Sequence, residues 1–426
     1  MIISWLVFSD LHFQFSNAES QNARERLVSY VAEESMKNGP IDFILTTGDC
    51  FHQYKQNTDI KKTIDYIHSL VSAAGCGKSN VYITPGNHDL ERTELRLSTL
   101  RHYTGIDYES GKKTKPVREL ENDAYPILVN TQYFRGFFEL YNNIVGKKYD
   151  FIHKTFEMDN YRIVNINTCT LSGGYYNGKK EEKKELHLDE GNLSVYNKKL
   201  IEDIKEIPDD DKLNIAFMHH GVEYFRESEQ AKFQQFVEDR HIDLIFTGHS
   251  HKIGIYTYDN ANRNIQELTC GAPIVNSYSE PSFFWCYFDT ETKNIVCKLC
   301  SYIANSGEWQ IANTSNVRKF KNGVYEFVPE RFNKKENTSK PVVEPKENLY
   351  ENAISEHFNK FGIVDALPMR EFIALRNKLI QQAEGNLILA GQSLENAFDI
   401  RKDSESIVDS IKTVSYTHLT LPTIAL

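Results

Sequence analysis

Five short motifs contain the side chains that could carry out chemistry in this chain of 426 residues. Each follows an apolar run typical of a buried strand, and each supplies carboxylate, amide or imidazole groups. The motifs are Asp10-Leu11-His12, Gly48-Asp49, Gly86-Asn87-His88-Asp89, His219-His220 and Gly248-His249-Ser250-His251. Asp and Asn offer oxygen ligands and His offers nitrogen, a mixed donor set that suits Mn, Fe, Zn or Ni. The motifs therefore predict a site for divalent metal ions.

The spacing of the motifs is compatible with a single site. In an open α/β sheet, the loops at the carboxyl ends of the strands converge on one crevice. Asp-x-His and His-x-His place two donors on the same side of a strand end, because alternate side chains point the same way. A carboxylate can also bridge two ions held about 3.5–4 Å apart, which is the spacing found in two-metal hydrolases.

Each motif has an ordinary structural explanation when it is taken alone. Asp10 could cap a turn beside a half-buried His12, and Gly48-Asp49 could itself be a turn. Paired histidines such as His219-His220 often have no chemical role. Five such motifs in this order, each after a predicted strand, favour the functional interpretation.

The order of the predicted elements indicates an α/β protein. The first part alternates strands and helices as βαβαβ, which predicts a largely parallel sheet. These elements are residues 2–8, 22–37, 43–45, 58–74 and 81–83, followed by strands at 161–166, 215–218 and 244–246 and a helix at 193–207. After residue 251, short strands separated by polar turns predict antiparallel pairing. Those strands are residues 253–258, 265–268, 283–288 and 295–299.

The five motifs, in this order, resemble the pattern D-x-H, G-D, G-N-H-D/E, H and G-H-x-H of the calcineurin-like metallophosphoesterase superfamily. The resemblance covers about residues 1–330. It implies two mixed β-sheets packed as a sandwich and flanked by helices, with the strands after residue 251 in the second sheet. It also implies hydrolysis of phosphate mono- or diesters by in-line attack of a metal-bound hydroxide.

The resemblance further implies two divalent metal ions, whose identity among Mn, Fe, Zn and Ni stays open. Seven residues match the family's ligand positions: Asp10, His12 and His251 for the first ion, Asn87, His219 and His249 for the second, and Asp49 as the bridge. His88 would contact the phosphate and protonate the leaving oxygen, and Asp89 would tune His88. The family often has Pro after the paired histidines, but Gly221 stands here, so His220 remains an alternative to His219.

The carboxyl-terminal part has a different character. Residues 331–348 are polar and contain two prolines, which predicts a linker. Residues 349–414 would be an incomplete second domain, either a small α/β fragment or a helical extension. Residues 415–426 begin with Ser-Tyr-Thr-His-Leu-Thr-Leu-Pro-Thr, which resembles translated adaptor DNA from sequencing libraries. We therefore expect the natural protein to continue past about Val414 into a fused domain.

The composition restricts the function classes. A formal charge of −10 argues against a protein that coats nucleic acid. It does not exclude an enzyme that acts on phosphates, because bound metal ions supply positive charge locally. A short apolar amino terminus without a basic leader predicts no signal peptide, and no apolar run approaches the length of a membrane span. Seven scattered cysteines indicate reduced thiols in a bacterial or phage cytoplasm.

The leading interpretation is a phosphoesterase whose substrate is a phosphorylated small molecule or a nucleotide. A catalytically silent module that senses phosphate or nucleotides is the alternative, although the complete ligand set argues against it. A nuclease is a third possibility, which the net acidity and the absence of a basic stripe disfavour.

Overall fold

The computed structural model describes residues 1–13, 17–52, 54, 58–91, 132–170, 198–225, 227–259, 264–312 and 317–333. The chain divides into two compact units, one that runs through Lys334 and one from Lys335 to Leu426. The second unit lies outside the described residues. The predictions for residues 349–414 and 415–426, and nearly all of the predicted linker, therefore fall in that part.

The first unit contains thirteen strands and five α-helices within the described ranges. The strands are β1 (Ile2–Phe8), β2 (Phe43–Thr46), β3 (Val81–Ile83), β4 (Lys154–Glu157), β5 (Tyr161–Asn165), β6 (Leu213–Phe217), β7 (Leu244–Thr247), β8 (Gly254–Asp259), β9 (Asn264–Thr269), β10 (Ser282–Asp289), β11 (Ile295–Ile303), β12 (Glu308–Ile311) and β13 (Val324–Phe327). The helices are α1 (Ala18–Asn38), α2 (Ile60–Ala73), α3 (Arg135–Val145), α4 (Lys198–Asp203) and α5 (Glu227–Asp239).

Two mixed sheets contain these strands, as the family resemblance implies. The first has seven strands in the order β12-β11-β10-β1-β2-β3, with β13 paired to β11, and the second has the order β4-β5-β6-β7-β9-β8. The pairs β1–β2 and β2–β3 are parallel, which confirms the prediction from the βαβαβ order. In the second sheet, β5, β6 and β7 are parallel to one another.

The prediction that the strands after residue 251 form the second sheet is confirmed for β8 and β9 and wrong for β10 to β13. Only β8 and β9 join that sheet, whereas β10 to β13 extend the first sheet beyond β1. Every residue of β10 is buried, so this strand needs a neighbour on each side and a covered surface on both faces. It meets that requirement between β1 and β11. The antiparallel pairing itself is confirmed for β8–β9 and β10–β11.

Aromatic side chains join the two sheets face to face. Trp5 of β1 lies against Phe246 of β7, with 6.4 Å between the ring centroids. Phe43 of β2 stacks on Tyr161 of β5 at 4.7 Å. Such rings bury large apolar areas, so these contacts form much of the core between the sheets. This packing places the carboxyl ends of β1 to β3 beside the carboxyl ends of β6 and β7.

Two helices in the first unit are absent from the sequence prediction. In α3, Phe137, Leu140 and Ile144 are buried and lie three and four residues apart, which is the spacing of one helix face. The surrounding polar, Tyr-rich stretch obscures that signal. Helix α5 is mostly polar, and its buried Phe233 and Val237 are four residues apart. None of the helices in the described ranges combines the length and apolarity needed to cross a bilayer.

A buried ion pair closes the first unit at its carboxyl-terminal end. Arg331, which is 4% exposed, lies in the short 3-10 helix Glu330–Phe332 and donates to both carboxylate oxygens of Asp243, at 2.9 and 2.7 Å. One of those oxygens also accepts the backbone N–H of Asn214 at 2.9 Å. The first unit therefore continues past residue 331, where the predicted linker begins.

Glutamine in place of Arg331 is expected to reduce the free energy of unfolding of the first unit by about 3–5 kcal/mol. The reason is that Asp243, which is buried, would keep its charge and lose its partner. Urea unfolding followed by tryptophan fluorescence measures this, because Trp5, Trp285 and Trp309 are all buried in this unit. As a control, Lys37→Gln breaks an exposed pair with Glu34 and should barely change the midpoint. Equal midpoints for the two variants would contradict the prediction.

Candidate metal centre

The five motifs follow five parallel strands at one end of the sandwich. Asp10 and His12 come after β1, Asp49 after β2, and Asn87 and His88 after β3. His219 comes after β6, and His249 and His251 come after β7. The carboxyl ends of parallel strands share one edge of a sheet, and the two sheets bring their edges together. All seven predicted metal ligands therefore lie in one small volume.

The backbone is strained at most of these residues. Eight non-glycine residues in the described ranges have positive φ, and five of them are predicted ligands: Asp10, His12, Asp49, His249 and His251. Hydrogen bonds hold this conformation, since the N–H of Asp10 donates to the carbonyl of Gly48 and that of His12 to the carbonyl of Asp49, both at 3.0 Å. Left-handed backbone at non-glycine residues persists only where the surroundings enforce it and is typical of functional sites.

Gly48 makes the tight approach of two motifs possible. Its φ is +104°, a conformation that residues with a side chain avoid. A Cβ atom there would lie 2.6 Å from the backbone nitrogen of Gly86 and 2.9 Å from Nδ1 of His219. The glycine is therefore needed for Asp49 to reach both the β3 loop and the β6 loop.

The first group of donors consists of Asp10, His12, His251 and Asp49. Nε2 of His12 lies 3.0 Å from Nε2 of His251, 3.7 Å from Oδ1 of Asp10 and 3.6 Å from Oδ2 of Asp49. Nε2 of His251 lies 3.2 Å from Oδ1 of Asp10. Ligands at about 2.0–2.2 Å from one ion are roughly 3.0–3.5 Å from each other. These atoms can therefore surround one cation.

The second group consists of Asn87, His219, His249 and again Asp49. Oδ1 of Asn87 lies 2.8 Å from Nε2 of His219 and 3.2 Å from Nδ1 of His249. The two imidazole nitrogens are 3.3 Å apart, and Nε2 of His219 is 3.4 Å from Oδ2 of Asp49. Oδ2 of Asp49 therefore lies beside both groups, as a bridging oxygen would.

Outer hydrogen bonds set the histidine tautomers. Nδ1 of His12 donates to the carbonyl of Phe51 at 3.1 Å, and Nδ1 of His219 donates to the carbonyl of Thr47 at 2.9 Å. A carbonyl only accepts, so in the neutral rings the Nε2 atoms carry lone pairs that face the donor groups. Lone pairs of several donors directed at one point repel each other unless a cation lies between them. The donor set fits metal ions for this reason.

The charges of the donors depend on one another. Burial opposes ionisation of Asp10, yet His251 and His12 lower the pKa of that carboxyl well below its usual range. Burial opposes a charge on His219, but Asp49 raises the pKa of this imidazole to about 9. Against burial, Asp10 likewise raises the pKa of His251. At neutral pH His219 therefore holds a proton that a cation must displace when it binds.

The geometry favours His219 over His220 as a ligand. Nε2 of His219 faces Asn87 and Asp49, whereas Nδ1 of His220 lies 2.9 Å from Oγ1 of Thr168 and 3.6 Å from Sγ of Cys169. The ring of His220 still packs against that of His249, at 4.5 Å between centroids. His220 therefore supports the site from behind the ligand loop.

His88 lies at the site, and Asp89 holds the loops around it. The backbone N–H of His88 donates to Oδ1 of Asp49 at 2.8 Å, and its Nδ1 donates to the carbonyl of His52. The buried carboxylate of Asp89 accepts from the N–H groups of Phe51 and Gly86, at 2.9 and 2.8 Å. Burial and the nearby Asp49 raise the pKa of Asp89. These bonds tie the β2 loop to the β3 loop, and the tuning of His88 by Asp89 stays a prediction.

Glu267 of β9 is a buried residue near the site that the motif analysis missed. Its carboxylate accepts hydrogen bonds from the hydroxyl of Tyr258, from Oγ1 of Thr247 at 3.1 Å and from the N–H of Val222 at 3.4 Å. A Cβ atom at Gly221 would lie 2.6 Å from Oε1 of Glu267. This contact explains the glycine where the family often has proline. A single Glu within a strand does not by itself indicate a buried hydrogen-bond acceptor, so the sequence could not predict this role.

Glutamine in place of Glu267 is expected to change how stability depends on pH. Burial raises the pKa of Glu267 to about 7 from an ordinary value of 4.5. The folded chain then keeps a proton that the unfolded chain loses between these pH values, so wild-type stability falls as pH rises from about 4.5 to about 7 and levels off above that. Relative to wild type, Glu267→Gln should gain about 2–3 kcal/mol of stability between pH 5 and pH 8.

Urea unfolding in EDTA at both pH values measures this difference without linked metal uptake. Glu25→Gln, an exposed change on α1, is the control and should shift stability equally at pH 5 and pH 8. The prediction fails if Glu267→Gln also shows no pH dependence relative to wild type.

Comparisons with known proteins show the family of the chain. The family model for calcineurin-like phosphoesterases matches residues 3–253, more than half of the chain. An uncharacterized metallophosphoesterase-like protein of Bacillus subtilis (strain 168), YydB, is 29% identical over 380 residues, which covers 87% of this chain and 73% of that protein. A match that covers 87% of this chain is longer than residues 1–333. The sequence similarity therefore continues into the second unit.

Among solved structures, the chain is similar to Vacuolar Protein Sorting 29 from Cryptosporidium parvum, at 13% identity and a TM-score of 0.32. That match covers 77% of this chain and 98% of the other. GAP50, the anchor in the inner membrane complex of Plasmodium, is 14% identical with a TM-score of 0.37, and the match covers 81% and 99% of the two chains.

Proposed function

The chain belongs to the calcineurin-like phosphoesterase family, and on this basis we propose that it hydrolyses phosphate mono- or diesters with two divalent cations. The observation that carries the proposal is the position of Oδ2 of Asp49. This oxygen lies 3.6 Å from Nε2 of His12 and 3.4 Å from Nε2 of His219, within reach of both donor groups. A shared carboxylate oxygen between two nitrogen and oxygen donor sets is the arrangement used by two-metal hydrolases.

Asp10, His12 and His251 would hold one cation, Asn87, His219 and His249 the other, and Asp49 both. When bound, such cations polarise phosphoryl oxygens, activate water for attack on phosphorus and orient the ester. They also bring more positive charge than the carboxylates of Asp10 and Asp49 remove, so the centre can attract a phosphate despite the chain's formal charge of −10.

His88 is the residue suited to protonate the leaving oxygen. Its Nδ1 is fixed on the carbonyl of His52, which leaves Nε2 to exchange a proton. Its N–H bond to Asp49 holds the backbone beside the bridging carboxylate, and its ring lies 5.0 Å from that of His12. General acid catalysis needs a proton donor held within reach of the departing atom, and these contacts hold the ring at the centre.

We propose a phosphorylated small molecule or a nucleotide as the substrate, ahead of nucleic acid. The acidic net charge supports this choice, because nucleic-acid binding rests on clustered Lys and Arg. The seven cysteines are buried and none is in a disulfide, which supports a reducing compartment such as the bacterial cytoplasm.

Metal-free protein reloaded with Mn²⁺ tests the proposal on p-nitrophenyl phosphate, bis-p-nitrophenyl phosphate, a cyclic nucleotide and single-stranded DNA. We expect hydrolysis of a monoester or diester that EDTA abolishes and Mn²⁺ restores. Two bound metal ions with no turnover of any substrate would instead support a silent binding module. Turnover of single-stranded DNA alone would overturn the choice of a small substrate.

A further inference from the structure

His251 is the most exposed member of the first donor group. Its side chain is 26% exposed, whereas that of Asp10 is fully buried and those of His12 and Asp49 are 1% exposed. A backbone carbonyl orients the ring of His12 within the site. Packing restrains the ring of His251 less, so this ligand needs another contact to hold its direction.

The loop between β9 and β10, residues 270–281, supplies that contact. Oγ of Ser279 lies 3.3 Å from Nδ1 of His251. The N–H of Glu280 donates to the carbonyl of His251 at 2.8 Å, and Oε2 of Glu280 accepts from the N–H of Ile253 at 2.9 Å. Ser279 is buried, although the two residues before it are exposed. The loop therefore holds both the ring and the backbone of this ligand.

Hydrogen bonds outside the two donor groups fix the shape of the β9–β10 loop. Oδ1 of Asn276 accepts from the N–H groups of the second and third residues after it, both at 2.8 Å. The N–H of Val275 donates to Oγ of Ser20 at 2.8 Å, and its carbonyl accepts from Nδ2 of Asn17 at 2.9 Å. Asn17 and Ser20 lie at the start of α1, so the loop is anchored to that helix. These bonds place Ser279 independently of the metal ligands.

We propose that Ser279 is a positioning residue for the first cation, because its hydroxyl oxygen accepts a hydrogen bond from Nδ1 of His251. The inference rests on the proposed two-cation function and adds a residue outside the five motifs. With the proton on Nδ1, the lone pair of Nε2 is free for a metal ion. That atom lies 3.2 Å from Oδ1 of Asp10 and 3.0 Å from Nε2 of His12, so the bond directs it into the first donor group.

The second donor group takes its orientation from other contacts. Nδ1 of His219 donates to the carbonyl of Thr47, and Oδ1 of Asn87 lies beside both His219 and His249. These contacts involve the loops after β2 and β3 and do not use Ser279. Loss of the Ser279 hydroxyl should therefore weaken the binding of the first cation and leave the second unchanged.

Calorimetric titration of the metal-free full chain with Mn²⁺ tests the assignment. In wild type we expect two binding events, and His251→Ala and His249→Ala identify which dissociation constant belongs to each site. Ser279→Ala should raise the first dissociation constant about tenfold or more and leave the second within about twofold. Ser279→Thr keeps the hydroxyl and should stay within about threefold of wild type at both sites.

Ser277→Ala is the matched control, since it removes an exposed hydroxyl from the same loop, and it should change neither constant. Unchanged binding in Ser279→Ala would overturn the proposal, as would an equal loss in Ser279→Thr. Equal weakening at both sites, with a lower melting temperature of the metal-free chain, would also overturn it and show a purely structural role. Fewer than two Mn²⁺ ions in wild type would instead overturn the two-cation function itself.

Discussion

Asparagine in place of Asp49 is expected to lower kcat/KM for a phosphate ester by about a thousandfold or more, which corresponds to about 4 kcal/mol of transition-state stabilisation. Oδ2 of Asp49 lies beside His12 of one donor group and His219 of the other, so under the proposed function its one charge would serve both cations. Asparagine keeps the size of the side chain and removes that charge. The bound metal should also fall from two ions per chain, as measured by inductively coupled plasma mass spectrometry.

Asp65→Asn is the matched control, because it makes the same chemical change on the exposed face of α2. It should leave metal content and kcat/KM unchanged. Two tightly bound ions and wild-type turnover in Asp49→Asn would show that the two donor groups do not share this carboxylate. A thermal melt of both variants separates loss of the fold from loss of the site.

Glutamine in place of His88 is expected to lower kcat by about 10²–10⁴-fold for an alkyl phosphate and far less for p-nitrophenyl phosphate. An alkoxide is a strong base and needs a proton as it departs, whereas p-nitrophenolate is stable without one. The nitrogen that would give this proton is Nε2, because Nδ1 is fixed on the carbonyl of His52. The measurement is kcat across a series of esters that differ in leaving-group basicity, at saturating metal.

His68→Gln on α2 is the control and should show the wild-type dependence on the leaving group. If His88→Gln lowers kcat by the same factor for every ester, His88 does not act as the general acid. A role in phosphate binding would then be the better description, and KM would rise in place of the leaving-group dependence.

The local sequence pattern was sufficient to predict the first strands and their parallel pairing. The buried run of β1 and the βαβαβ order predicted parallel strands, and β1, β2 and β3 are parallel. Helix α3 escaped prediction because the polar, Tyr-rich stretch around it obscures its apolar spacing, and α5 escaped because few of its residues are apolar. The sheet membership of β10 also escaped, because an antiparallel strand pattern does not state which neighbour it will pair with.

Residue types and order alone pointed to a metal centre with the motif residues from Asp10 to His251, since five such motifs follow predicted strands in this order. Only the tertiary structure decided which atoms face one another. It places Oδ2 of Asp49 between the two groups, directs His219 and not His220 toward Asn87, and brings Glu267 against Gly221. It also places Tyr224 beside His249. The physical reason is that ligand type is a property of each residue, whereas distance, tautomer and charge coupling arise between residues that only the packing of two sheets brings together.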